Sequence, residues 1–137
     1  MLSLTKLEWA AFYVGAHIVL ILVLALGVVS ARRKHGVALG DGANEAMQRA
    51  IRVHGNATEY VPMLLIGLTV LSLLDASRPW MIHVLGLLLL VSRIAHAQGL
   101  GGSNGRSAGR MFGTLGTWIA ALGLALALVW AAFSGGP

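Results

Sequence analysis

The stretch RVHGNATEYVP, Arg52 to Pro62, sets an arginine, a histidine, an asparagine and a glutamate close together inside an apolar run. On a helix, at about 100° per residue, Glu45, Arg49, Arg52, Asn56 and Glu59 fall within an arc of about 80°, while His54 points roughly the other way. Facing lipid, this stripe would be strongly unfavourable, so it must face a bundle interior, a subunit interface or a wet cavity. Its chemistry is specific. Arginine forks suit carboxylates, a carboxylate suits an ammonium, and an amide suits peptide groups. Those are the complements of a zwitterionic, peptide-like ligand. The competing reading is an internal network, with Arg52 paired to Glu59 or Glu45 and Asn56 bridging helices by hydrogen bonds.

Further along, Arg93 and His96 are three residues apart on one helical face, with His83 roughly in line. Arg93 is expected either to bind the ligand or to serve structurally, pairing with a carboxylate such as Glu59 or capping helix-end carbonyls, and His83 reads as a packed or interfacial histidine. The segment GLGGSNGRSAGR, residues 99–110, is glycine-rich. It follows a helix rather than a strand and lacks the lysine of a phosphate-binding loop, so nucleotide binding is not expected. Its arginines, Arg106 and Arg110, sit where a helix begins and where backbone amides favour anions. Anchoring to lipid headgroups is the alternative for both. No His and carboxylate spacing matches a metal-binding motif, so no metal is expected.

The elements that must position these residues follow from composition. The 137-residue chain is expected to form a single domain; 57% of it is apolar and only 11% charged, with a mean hydropathy of +0.79. Charged residues make up about a quarter of an ordinary globular chain, so too few are present here to cover a soluble surface. The net charge of +5 arises from basic residues beside apolar runs, not from a basic patch interleaved with aromatics, which argues against nucleic acid. With no cysteine, the chain can supply no thiolate of its own. Four segments, at about residues 7–31, 46–74, 80–97 and 111–133, reach the roughly 20 residues a membrane helix needs. The expected fold is an all-α integral membrane antiparallel four-helix bundle.

Arg32, Arg33, Lys34, Arg49 and Arg52 flank the first loop, and Arg93, Arg106 and Arg110 flank the third. The excess of positive charge predicts that both loops are cytoplasmic. The other side carries Lys6, Glu8, Asp75 and Arg78, with Trp9, Trp80 and Trp130 near span ends, so both termini should face away from the cytoplasm. The first span is too long for a signal peptide and ends in RRK, as a stop-transfer boundary would.

RVHGNATEYVP resembles the second-helix signature of the MAPEG family, the membrane-associated proteins in eicosanoid and glutathione metabolism: an arginine, an asparagine four on, a glutamate three further, then tyrosine and, two beyond it, proline. The likeness extends loosely over four spans, RIAH near the end of the third and arginines before the fourth. It implies a homotrimer in a bacterial inner membrane that binds glutathione between subunits near the cytoplasmic face. By similarity, Arg52, Asn56, Glu59 and Tyr60 match glutathione-binding positions, with Arg49 a turn earlier and His96 as further candidates; Arg93 joins them from its place on the face of His96. The family uses an arginine at the start of the fourth helix to hold the glutathione sulfur as a thiolate; alignment on RMFGT makes this Arg110, with Arg106 as the alternate. Leu100 departs from the pattern, standing where some members carry a tyrosine. The activity implied is glutathione transfer to lipophilic electrophiles, with peroxidase activity as a possible companion. The rival readings are a non-catalytic membrane protein whose stripe serves trimer packing or lipid or peptide binding, and a small transporter, against which the chain shows no inverted repeat.

The charge asymmetry carries its own test. A reporter fused at the C-terminus should be read outside the cytoplasm and one inserted at Gly40 inside; the reverse pattern would overturn the orientation.

Overall fold

The computed structural model describes residues 4–102, 105 and 107–134, which form four helices: α1 (Lys6–His35), α2 (Glu45–Leu73), α3 (Pro79–Gly101) and α4 (Ala108–Ser134). All four are long and apolar enough to cross a membrane, and no strand occurs among the described residues. Large apolar side chains such as Ile18, Leu22, Ile66, Leu122 and Leu126 are more than half exposed. In water that surface would drive aggregation; in a bilayer it is the surface the solvent prefers.

Each helix start is set by local chemistry. Thr5 opens α1 with a capping box: its Oγ1 accepts from the Glu8 N–H, and the Glu8 carboxylate accepts from the Thr5 N–H at 2.7 Å. Asn44 caps α2, its Oδ1 accepting from the Met47 N–H at 3.0 Å. Pro79 stands in the first turn of α3, where its missing N–H leaves no helical bond unmade. At the other end of α1, Arg32, Arg33, Lys34 and His35 fill the last turn, where cations offset the helix dipole, and Gly36 closes it at φ 66°. The Arg32 guanidinium then gathers the first loop, donating to the carbonyls of Val37, Ala38 and Gly40 at 3.1–3.3 Å. Helices α1, α3 and α4 accordingly run past the apolar segments into the loop-facing polar residues. Helix α2 continues unbroken through Pro62.

Helices α2 and α3 hold the bundle together. α1 packs on both, α4 packs on both, and α1 and α4 do not meet among the described residues. Tyr13, Leu68, Leu71, Ile82 and Leu124 form the apolar core at the end away from the first and third loops. There the Tyr13 hydroxyl pairs with His83 Nδ1 at 2.8 Å, and Trp9 lies 4.2 Å from the His83 ring, so His83 is a packed residue.

At the loop end, α3 and α4 come into backbone contact. A Cβ on Gly113 would lie 2.5 Å from the His96 N and 2.6 Å from the Ser92 O; one on Gly109 would lie 2.8 Å from the Ala95 O. Small residues permit this approach, and in lipid such packing is a principal force between helices. Gly113→Ala should therefore lower the melting temperature of the purified protein, by overpacking worth about 1–3 kcal/mol. Gly27→Ala, whose Cβ would enter open space, should not. Equal melting of the two variants would show that the contact is not a constraint.

Candidate functional site

The polar stripe of α2 meets the ends of α3 and α4 at the loop side of the bundle. Glu45, Gln48, Arg49, Arg52 and Asn56 from α2, His96 and Leu100 from α3, and Arg110 from α4 line a pocket of about 360 Å³. That is within the size range of small-molecule sites. Three helices thus bring together six polar residues singled out from sequence: Glu45, Arg49, Arg52, Asn56, His96 and Arg110. Arg93 stands behind the wall, and Glu59 and Tyr60 lie further along α2. Arg106 falls outside the described residues.

Arg93 is the deepest charge. It is 2% exposed, and its Nη2 donates to Asn56 Oδ1 at 2.8 Å and approaches His96 Nδ1 at 3.4 Å. Nη1 reaches Thr117 Oγ1 at 3.5 Å, and the guanidinium carbon stands 5.8 Å from the centre of the Tyr60 ring, a cation–π arrangement. Only Nε is left without a partner. The sequence suggested Glu59 as the partner; the structure provides Asn56 instead. The choice has a physical basis. Asn56 is half-buried on the side of α2 that faces α3, whereas Glu59 turns outward and pairs with Arg52 at 3.4 Å, both side chains more than half exposed. Arg49 and Glu45 form a second, looser pair at 3.8 Å. Tyr60 accepts at its hydroxyl from the Trp118 indole N–H at 3.4 Å.

Arg110 is held by its backbone. Its N–H donates to Ser107 Oγ at 3.2 Å, so Ser107 caps α4, and the same hydroxyl donates to the Gly99 carbonyl at 2.7 Å. One serine therefore ties the start of α4 to the end of α3. Gly99 fits beside it because a Cβ there would lie 2.2 Å from the Arg110 N. The Arg110 side chain is left exposed at the pocket edge, at the helix end where an anion is favoured.

Several of these residues carry no clear signal in the sequence. Gln48 could have been found, since it lies four residues before Arg52 on the same face. Ser107 could have been found as a cap, three residues before Arg110. Thr117 and His17 could not. His17 is fully buried in α1, with Nδ1 bonded to the Tyr13 carbonyl at 2.7 Å and Nε2 unpartnered. Among the described residues no group of three His, Asp or Glu side chains could hold a metal ion.

A four-helix membrane bundle with an arginine-rich pocket at one end, built from helices two, three and four, defines the class. Residues 10–130 match the MAPEG family, and the chain belongs to it. Among its relatives are Inner membrane protein YecN of Escherichia coli (strain K12), 35% identical over 121 residues that cover 88% of this chain and 90% of the relative. Uncharacterized protein sll1147 of Synechocystis sp. (strain ATCC 27184 / PCC 6803 / Kazusa) is 31% identical over 128 residues, 92% of each chain.

The inward and outward halves of the stripe should differ in stability. Asn56→Leu removes the best partner of a guanidinium whose Nε–H already lacks one, and should destabilise by about 1–3 kcal/mol. Arg52→Ala breaks an exposed pair and should cost about 1 kcal/mol or less. Thermal unfolding of both variants in the same detergent checks the order, and equal losses would contradict it.

Proposed function

We propose that the pocket binds glutathione and activates its sulfur for transfer to a lipophilic electrophile, making the protein a membrane-bound glutathione transferase. The observation that carries this reading is the convergence of Arg49, Arg52, Asn56, His96 and Arg110 on one pocket, with carboxylates beside them on α2. Glutathione has two carboxylates, an ammonium and two amides. Arginine forks answer the carboxylates, Glu45 and Glu59 the ammonium, and Asn56 the amides.

Arg110 is assigned to the sulfur. A free thiol has a pKa of about 8.5, so little is ionised at neutral pH, and a fixed guanidinium within hydrogen-bond reach raises the thiolate fraction. The thiolate lone pair then forms the S–C bond to the electrophile, whose electron pair leaves with a departing group or is taken up with a proton from water. The protein contributes orientation and electrostatic stabilisation. Glutathione enters from the loop side, which the positive charge of the loops assigns to the cytoplasm, and the electrophile arrives through the lipid.

Three of the five stripe residues, Glu45, Arg52 and Glu59, are exposed on the single chain. The unit that works in the bilayer is therefore proposed to be a homotrimer in which a neighbouring subunit covers this face. Peroxide reduction is a companion activity open to the same thiolate.

Binding comes first among the tests. Glutathione should raise the melting temperature of the detergent-purified protein by mass action. Arg52→Ala and Glu59→Ala should each weaken that binding by about 1.5–3 kcal/mol, the scale of charge-assisted hydrogen bonds. Arg110→Ala should still bind glutathione, yet lose thiolate absorbance near neutral pH and conjugate a generic lipophilic electrophile more slowly in proportion. Arg106→Ala is the control. If it abolishes the thiolate signal while Arg110→Ala does not, the two arginines exchange roles.

A further inference from the structure

We infer that Arg93 is a positioning residue that fixes His96 as the neutral Nε2–H tautomer and holds the Asn56 amide with its oxygen turned inward, so that both side chains offer the ligand N–H donors only. This deepens the glutathione reading of the same pocket and rests on it.

The argument is one of donors and acceptors. A guanidinium has five N–H donors and no acceptor. A ring nitrogen at hydrogen-bond distance from it must therefore present a lone pair. His96 Nδ1 lies 3.4 Å from Arg93 Nη2, so Nδ1 is bare and the ring proton sits on Nε2. A second proton on Nδ1 would point at the guanidinium. The same Nη2 donates to Asn56 Oδ1 at 2.8 Å, and a flipped amide would set its NH₂ against that donor. Asn56 Nδ2 is thereby turned away from Arg93.

Arg93 cannot release either group by swinging away. It is 2% exposed, and Thr117 on the α4 side already donates its hydroxyl proton to the Gly113 carbonyl at 2.7 Å, leaving a lone pair for Arg93 Nη1. The Tyr60 ring stands against its face. Asn56 and His96 both line the pocket, so together they select a ligand atom that only accepts, a carboxylate or peptide carbonyl oxygen. The ammonium is left to the carboxylates of the stripe.

The test uses the full chain in lipid nanodiscs, with histidine nitrogens labelled with ¹⁵N, first without glutathione. The His96 signals are identified by their loss in His96→Gln. The expected spectrum shows a protonated Nε2 and a non-protonated Nδ1; an Nδ1–H ring or an imidazolium overturns the inference. Arg93→Met, which has no donors, should turn the single tautomer into a mixture, seen as ring shifts moving toward their average. A single Nε2–H ring in that variant would show that Arg93 does not set it. Should Arg93→Met fail to fold, the wild-type spectrum still decides, and Asn56→Asp supplies a second arm. It keeps an acceptor for Arg93 and loses the amide donors, so glutathione affinity should fall about tenfold while His96 remains Nε2–H. Unchanged affinity overturns the donor role of Asn56. A wild type that takes up no glutathione yet shows the Nε2–H ring overturns the glutathione reading and supports the positioning role.

Discussion

An arginine buried inside a membrane bundle has no water to fall back on, and the loop half of this protein is arranged around that constraint. Removing a partner from such a charge is far more damaging than the pair is stabilising, so the helices around Arg93 must supply it with acceptors or a π face. Asn56 comes from α2, His96 from its own helix and Thr117 from α4, with the Tyr60 ring over the charge. The rotation of α2 relative to α3 is thereby set, since Asn56 must face inward. That same rotation turns Arg52 and Glu59 outward and puts Arg49 and Arg52 on the pocket wall.

The second constraint is the close approach of α3 and α4 at Gly109 and Gly113, reinforced by Ser107 bonding both the Gly99 carbonyl and the Arg110 N–H. A site on rigid elements keeps its geometry better than one on a loop. Although Arg110 follows a glycine-rich segment, its backbone belongs to a capped helix packed against α3. Its side chain is long and exposed, but it starts from a fixed point at the pocket edge.

How much of this could be read in the sequence differed by the kind of information each residue carries. The stripe was legible because helical period alone places Arg49, Arg52, Asn56 and Glu59 on one face. The four helices were legible because lipid selects long apolar runs. The partner of Arg93 was not, because Asn56 and Glu59 are one turn apart and the choice depends on how α2 is rotated against α3. His17 gave no signal at all: a lone histidine in an apolar helix has no periodic neighbour to mark it. The close contact at Gly113 was visible only as a glycine in a membrane span, where glycine is common for many reasons.

Depth separates the residues of the stripe further. Helix α2 has 29 residues, about 43 Å at 1.5 Å per residue, while the hydrocarbon needs only about 20 of them. If the apolar end beside the Asp75–Pro79 turn marks one boundary, about nine residues of the other end lie outside the hydrocarbon. Glu45, Gln48, Arg49 and Arg52 then stand at headgroup level, where charges are solvated, and Asn56 and Glu59 lie deeper. The Asn56 oxygen is satisfied by Arg93. Glu59 has one oxygen paired to Arg52 at 3.4 Å and a side chain 51% exposed on the isolated chain. A carboxylate with one paired oxygen at that depth is the most expensive group in the stripe, and a further donor would relieve it. In the proposed reading a ligand ammonium, or a neighbouring subunit laid against this face of α2, would supply that donor, and ligand binding and subunit assembly would then converge on the same carboxylate.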